Sequence, residues 1–271
     1  MTTHNCETCP AHAHLAQMGL RVDRFDRVVA LAGNPNTGKS TLFNALTGLK
    51  QHTGNWPGKT VTRAEGGYQF NHVRYKLVDL PGTYSLLSAS TDEEVARDFL
   101  LFGMPDCTIV VVDATALERN LNLVLQVLEI TDKCVVAVNL MDEAKRKGIE
   151  VDARSLAKDL GVPAVPVVAR TSDGIHALLA AVEAVISGEI RTQPRRTEGT
   201  PEFNSAIAEL VPMIDAAAPG VPNARWIAIR LLDGDDRVER ALRTGELAAL
   251  VARQQQPDDR FSRKIALQGA Q

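Results

Sequence analysis

The sequence predicts an α/β fold, a doubly wound and mostly parallel sheet, followed by a small all-α subdomain. Three observations carry this. Short apolar, β-rich runs at 28–32, 74–79, 107–113, 134–139 and 165–168 alternate with helix-period runs at 39–47, 92–102, 117–130, 152–160 and 175–186, the pattern of parallel strands joined by right-handed crossovers. Ile109-Val110-Val111-Val112 is apolar without alternation, as a strand buried on both faces must be. Composition then changes after Gly188. Residues 191–203 carry charge and two prolines and read as a linker, and 204–217, 226–232, 236–244 and 246–254 read as helices. The domain reading is an N-terminal arm at 1–25, an α/β domain at 26–190, a linker at 191–203 and a helical domain at 204–271.

The bulk numbers narrow the class. Of 271 residues, 45% are hydrophobic but only 4% aromatic, so the core is aliphatic. A net charge of −3 gives no reason to expect a nucleic-acid partner. No apolar run approaches the roughly 18 residues that span a bilayer, and the N-terminus lacks the basic head and apolar centre of a secretion signal. The chain is expected to be soluble and cytoplasmic, which leaves room for its being part of a larger membrane protein. Cys107 and Cys134 fall in strand-like runs and are expected as small core residues. Cys6 and Cys9 form a C-x-x-C beside His4, His12 and His14. Cys6, Cys9 and His12 are a candidate Zn²⁺ or iron set; a redox pair and adventitious metal binding are the open alternatives.

Gly33-Asn34-Pro35-Asn36-Thr37-Gly38-Lys39-Ser40 fits G-x-x-x-x-G-K-[ST] between an apolar run and an amphipathic one, the strand–loop–helix context of a phosphate-cradling loop. The glycines let N–H groups point inward at a polyphosphate, and the helix N-terminus, with Thr41 in its first turn, adds positive potential. Lys39 is expected to reach β/γ-phosphate oxygens and Ser40 to bind Mg²⁺. Asp79-Leu80-Pro81-Gly82 ends a strand: Asp79 can hold Mg²⁺ through water, and the Gly82 N–H can meet a γ-phosphate. Asn139-Leu140-Met141-Asp142 ends another. Asp142 can accept from the ring N–H and exocyclic amine of guanine as a bidentate, charge-assisted pair that adenine cannot make. Asn139 is expected to tie the base loop to the phosphate loop, with Met141 beside them. Leu140 stands where many GTPases carry Lys. Ala169 and Arg170 follow the 165–168 run; this loop is expected to donate a backbone N–H to the guanine oxygen, and Arg170 reads equally as a solvated charge. Thr60, preferred over Thr62, is expected to be the second Mg²⁺ hydroxyl. It lies in 51–64, a Gly- and Pro-containing stretch without hydrophobic period, expected to be a loop that orders around GTP. Trp56 in that stretch reads as a nucleotide lid or a partner anchor, with plain packing as the other reading. Together the motifs describe a Ras-like P-loop GTPase that depends on Mg²⁺.

The residues then resemble a named family. Gly33–Ser40, the run from Gly54-Asn55-Trp56-Pro57-Gly58 to Thr62, Asp79-Leu80-Pro81-Gly82-Thr83-Tyr84-Ser85-Leu86, Asp113-Ala114-Thr115-Ala116-Leu117-Glu118-Arg119-Asn120-Leu121 and Asn139–Asp142 are similar to the cytosolic G domain of bacterial ferrous-iron transport protein B, over about residues 28–186. The segment after about 200 is similar to that family's helical, guanine-nucleotide-dissociation-inhibitor-like domain. The resemblance implies a slow GTPase on the cytoplasmic side of the inner membrane, regulating a membrane-embedded iron pore. It implies GTP/GDP, Mg²⁺ and K⁺ as cofactors. The K⁺ site would use Asn36 with the backbone carbonyls of Gly54 and Trp56, and Asn36, Lys39, Thr60 and Gly82 would form the catalytic set. Small cytosolic iron-transport accessory proteins and a homo-oligomer are the further implied partners. The position of the water-orienting Gln of Ras-like enzymes falls on Thr83, which is too short for that job; Tyr84, Ser85, Glu93 and Glu94 are the alternatives. Three competing readings remain: a ribosome- or RNA-associated GTPase, opposed by the acidic charge; a P-loop ATPase or kinase, opposed by Asn139 and Asp142; and a non-hydrolysing nucleotide-binding module, which the missing Gln leaves open.

Overall fold

The computed structural model describes residues 25–48, 51–86, 90–196, 199–221 and 223–254. The N-terminal arm, with Cys6, Cys9 and His12, lies outside them. The chain divides into two compact units between Thr200 and Pro201.

The first unit is a seven-stranded sheet in the order β2-β3-β4-β1-β5-β6-β7. Its elements are β1 (Arg27–Gly33), α1 (Lys39–Thr47), β2 (Gln51–Asn55), β3 (Thr62–Phe70), β4 (Val73–Asp79), α2 (Thr91–Asp98), β5 (Cys107–Asp113), α3 (Leu117–Ile130), β6 (Cys134–Asn139), α4 (Met141–Arg146), α5 (Ala153–Leu160), β7 (Ala164–Pro166) and α6 (Ile175–Ser187). From β4 to β7 the ladder is parallel, so the loops after β1, β4, β5, β6 and β7 share one edge. Cys107, Ile109, Val110, Val111 and Val112 are fully buried, as the unbroken apolar run requires. Leu42, Phe43 and Leu46 of α1 and Leu178, Val182 and Val185 of α6 pack in one cluster with Val29, Leu31, Ile109 and Val135 of the sheet. Leu123, Val124, Val127 and Leu128 of α3 are also buried. Cys107 and Cys134 are free thiols in the core, as expected; burial pushes the Cys134 thiol up to about 12.

Four expectations are corrected. Residues 51–64 are not one loop: β2 pairs antiparallel with β3, from Gln51 opposite Gly66 to Asn55 opposite Thr62. β3 continues antiparallel onto β4. Gln51-His52-Thr53-Gly54-Asn55 has no apolar face because it is an edge strand exposed along almost its whole length, so periodicity cannot find it. The helix expected over 92–102 stops at Asp98, and Phe99–Gly103 form a π-helical turn of five buried residues. A Cβ on Gly103 would lie 3.0 Å from the Phe99 ring, so the wide turn is packed tightly. The strand expected at 165–168 is only Ala164–Pro166; Val168 instead makes a bridge with Asp173. Residues 191–196, read as linker, are hydrogen-bonded back onto the first unit. The Gln193 N–H donates to Gly161 O (2.9 Å) and the Arg195 N–H to Leu160 O (3.0 Å). Gly161 has a positive φ of 73°, and a Cβ there would stand 1.8 Å from Gln193 O.

The second unit holds α7 (Pro201–Ala217), α8 (Ala224–Leu232), α9 (Asp236–Arg243) and α10 (Glu246–Gln254). Asn223 and Asp235 cap α8 and α9 by accepting from backbone N–H groups. Arg237 holds Glu246 in a bidentate pair, both bonds 2.8 Å. Ile207, Ile214, Ile227, Val238, Ala241 and Leu247 are among its buried residues.

Inside the antiparallel part of the sheet lies a buried ionic trio. Glu65 forms ion pairs with Arg63 at 2.8 Å and with Lys76 at 2.6 Å, with all three side chains nearly solvent-free. One carboxylate faces two buried cations there, so removing it takes an ion-pair partner from each. Glu65→Ala is expected to lower the unfolding free energy by about 3–5 kcal/mol, read by chemical denaturation; a loss under about 1 kcal/mol would contradict this account.

Candidate functional site

The phosphate-loop residues sit where β1 hands over to α1. Asn36 turns with φ 67° and Gly38 with φ 79°, and Gly38 caps α1, with the Leu42 N–H donating to Gly38 O at 2.9 Å. The Thr37 hydroxyl donates back to Asn34 O at 2.9 Å and closes the turn. Pro35 faces Gly82: a Cβ on Gly82 would lie 3.5 Å from Pro35 N. The strand-end turn after β4 therefore lies against the loop, as the motif spacing implied. Gly33 is far tighter, with Val111 O 2.8 Å from where its Cβ would be. Ser40 and Thr41 are exposed at the start of α1.

Lys39 is directed across this loop. Its ammonium pairs with the Asp79 carboxylate and donates to Leu80 O at 2.7 Å. Burial pushes the Asp79 carboxyl above its ordinary value, and the Lys39 charge and hydrogen bond oppose that push. A part-buried carboxylate of this kind needs a cation beside it. Lys39 supplies one here, and a Mg²⁺ ion would supply another when phosphates draw the lysine away.

Asn139 ties the site together. Its amide donates to Thr37 O at 2.9 Å and accepts from the Ala169 N–H at 3.0 Å, which joins the phosphate loop, the end of β6 and the loop after β7. A Cβ on Gly38 would stand 2.3 Å from Asn139 Nδ2, so only glycine admits the bridge. The Ala169 N–H is thus engaged with Asn139, which leaves the other N–H groups of this loop for the expected bond to the guanine oxygen. Leu140 adopts φ 62°, rare for a branched side chain, and starts α4, placing Met141 and Asp142 in its first turn. The Asp142 carboxylate accepts from Arg170 at 3.0 Å. That bond is the main cause holding its pKa below the ordinary value. Arg170 is therefore not merely a solvated loop charge.

The segment carrying Thr60 is built differently from expectation. Thr60 lies in the turn joining β2 and β3, where the Trp56 N–H donates to Val61 O and the Lys59 N–H donates to Trp56 O, both at 3.0 Å. Gly54 sits in β2, opposite Arg63. Trp56 is neither lid nor exposed anchor. It is 4% exposed, meets Phe99 edge-on at 5.5 Å and lies under the Arg63 guanidinium at 5.6 Å. Lys59 pairs with Glu94 of α2. Of the water-positioning alternatives, Thr83 is buried, Tyr84 lies beneath the Arg119 guanidinium at 5.5 Å, and Glu94 is taken by Lys59.

Sequence reasoning gave Asn120 no role. It is buried, donates to Ala116 O at 2.7 Å and accepts from the Asp113 N–H at 3.4 Å, while Asp113 accepts from the Thr115 N–H at 2.7 Å. The Asp113–Leu121 run thus locks the β5–α3 turn. Asn34 was placed in the loop without a partner, and its buried amide has no hydrogen-bond partner on either atom. Such a group calls for a ligand or water. The tight glycines, the lysine–aspartate pair and this amide fit a polyphosphate with a divalent cation.

The profile of the family described as Ferrous iron transport protein B matches residues 27–182, and that of the FeoB cytosolic helical domain matches residues 200–265. The chain is 40% identical over 213 residues to the Fe(2+) transporter FeoB of Salmonella typhimurium, covering 76% of this chain and 27% of that protein's length. Among solved structures, the cytosolic domain of L. pneumophila FeoB is 32% identical with a TM-score of 0.72, covering 86% of this chain and 90% of that one. The cytosolic domain of T. maritima FeoB in a GDP form is 36% identical with a TM-score of 0.72, covering 82% and 87%.

Gly38→Ala tests the bridge. The left-handed backbone alone costs about 1–2 kcal/mol, and binding must reimpose it. Guanine-nucleotide affinity, by titration calorimetry, is expected to fall roughly 5- to 30-fold or more, with the circular dichroism spectrum retained. Wild-type affinity in this variant would overturn the assigned role of Gly38.

Proposed function

The chain belongs to the ferrous iron transport protein B family, and on that premise we propose that it is the guanine-nucleotide switch of a ferrous-iron transporter. It binds GTP and hydrolyses it slowly on the cytoplasmic side of the bacterial inner membrane. The G domain is assigned from residue 26 through the segment 191–196 that packs back on it, and the helical dissociation-inhibitor-like domain from Pro201. The membrane-embedded part of the same protein is its principal partner; small cytosolic iron-transport proteins and further copies of the chain are its others.

The observation that carries the reading is the Asn139 bridge, which sets the phosphate loop and the Asp142 carboxylate in one frame. Lys39 and the Gly33–Ser40 amides would hold the polyphosphate. Ser40, Thr60 and Asp79 would hold Mg²⁺, which neutralises charge developing on the β/γ oxygens. Gly82 would offer its N–H to the γ-phosphate, and Asp142 would read guanine. Asn36 and the carbonyls of Gly54 and Trp56 would hold K⁺ near the same oxygens. Hydrolysis is slow because Thr83 is short and buried, so no side chain at that position reaches an attacking water.

Two measurements test this. Asp142→Ala removes a charged double acceptor, worth about 1.5–3 kcal/mol, and is expected to cut the preference for GTP over ATP roughly 10- to 200-fold while binding through the phosphates persists. A wild-type protein that binds neither GTP nor GDP ends the proposal. For the cation, single-turnover phosphate release is expected to run faster in KCl than in NaCl, and Asn36→Ala is expected to abolish the difference; equal wild-type rates in both salts would remove K⁺ from the scheme.

A further inference from the structure

Asp142 and Arg170 are held face to face by the frame that builds the base site. The Ala169 N–H is fixed to Asn139, and the Thr171 N–H donates to Val168 O at 3.1 Å, so the backbone on either side of Arg170 is anchored. From that anchored turn the Arg170 guanidinium reaches Asp142 Oδ2 at 3.0 Å. Its side chain is 74% exposed, so it can leave without disturbing the core. Arg146, one turn along α4, stands 4.0 Å from the same oxygen and nearer to Glu143, at 3.6 Å. Arg170 is therefore the closer cation on the carboxylate. Reading guanine needs both Asp142 oxygens, one for the ring N–H and one for the exocyclic amine. The carboxylate has lone pairs to spare, but a guanidinium seated on Oδ2 crowds a guanine that must approach both oxygens.

We propose that Arg170 is a positioning residue that gates guanine recognition by competing with the base for the Asp142 carboxylate. The inference rests on the reading of Asp142 given above. Nucleotide enters only molecules in which the Arg170–Asp142 pair is open, so apparent affinity is reduced by the closed fraction. The pair also keeps the carboxylate charged and aimed, ready to accept. The cost is small because the pair is largely exposed, which places the closed-state penalty at a few-fold. The penalty acts on entry rather than on exit, and it weakens as salt screens the pair.

The test is stopped-flow binding of a fluorescent GDP analogue to the whole chain. Arg170→Ala is expected to bind about two- to fivefold more tightly through faster association with an unchanged dissociation rate. Arg170→Lys, which keeps a cation but loses the planar fork, is expected to fall between wild type and Arg170→Ala. In an Asp142→Ala background, Arg170→Ala is expected to have no effect, since the contested carboxylate is gone. A loop that Arg170 merely braced would give the opposite result, weaker binding and faster release. Unchanged or weaker binding by Arg170→Ala, beside a wild type that binds GDP, overturns the gate alone. A wild type that fails to bind GDP overturns the guanine reading and the gate with it.

Discussion

The site hangs on a single buried amide. Asn139 has one donor and one acceptor in play, and it spends them on two loops distant in sequence. Both bonds are buried, so losing either strands a polar group away from water. The consequences spread outward. Gly38 must lack a side chain because Nδ2 occupies the space. The phosphate loop cannot slide along β1 without breaking the bond that Thr37 O accepts from Asn139. The loop after β7 is set by the same residue, and through it the position of Arg170. A parallel sheet makes this possible, since it delivers the ends of β1, β6 and β7 to one edge.

Around that fixed frame, both carboxylates with assigned ligands already carry cations. Asp79 pairs with Lys39, and Asp142 with Arg170. The two pairs differ in burial and so in consequence. Asp79 is mostly enclosed, its carboxyl is pushed up, and the lysine beside it answers a desolvation demand. Asp142 is open to solvent, and its carboxyl is held down by the arginine. The first pair answers the desolvation of an enclosed carboxylate. The second is a solvent-exposed contact.

The antiparallel edge of the sheet is organised by a different logic. Arg63 touches both Glu65 and the Trp56 ring, and Trp56 touches Phe99 of the π turn. Lys59 reaches Glu94 on the neighbouring helix. The hairpin that carries Thr60 and the helical segment after the β4 end are thus joined by one apolar and one ionic contact. The ionic contact is half-exposed and weak, whereas the aromatic contact is buried. Trp56 is therefore a buried packing contact between the hairpin and the π turn, not a surface that waits for a partner.

Much of this was legible without coordinates, and the exceptions share a cause. The parallel strands were readable because strands buried on both faces are apolar throughout, as at Ile109–Val112. The candidate site residues could be picked out because phosphate, magnesium and guanine would demand particular groups at particular spacings, and 33–40, 79–82 and 139–142 offer such groups locally. The β2–β3 hairpin was not readable, because an exposed edge strand is specified by its neighbour's hydrogen bonds and not by its own composition. Nor were the fate of Trp56, the Asn34 amide, the engagement of the Ala169 N–H or the Arg170–Asp142 pair. Chemistry written into a contiguous motif can be read from sequence alone; which residues from separate loops compete for the same oxygen or fill the same space is decided only when the sheet brings the strand ends to one edge.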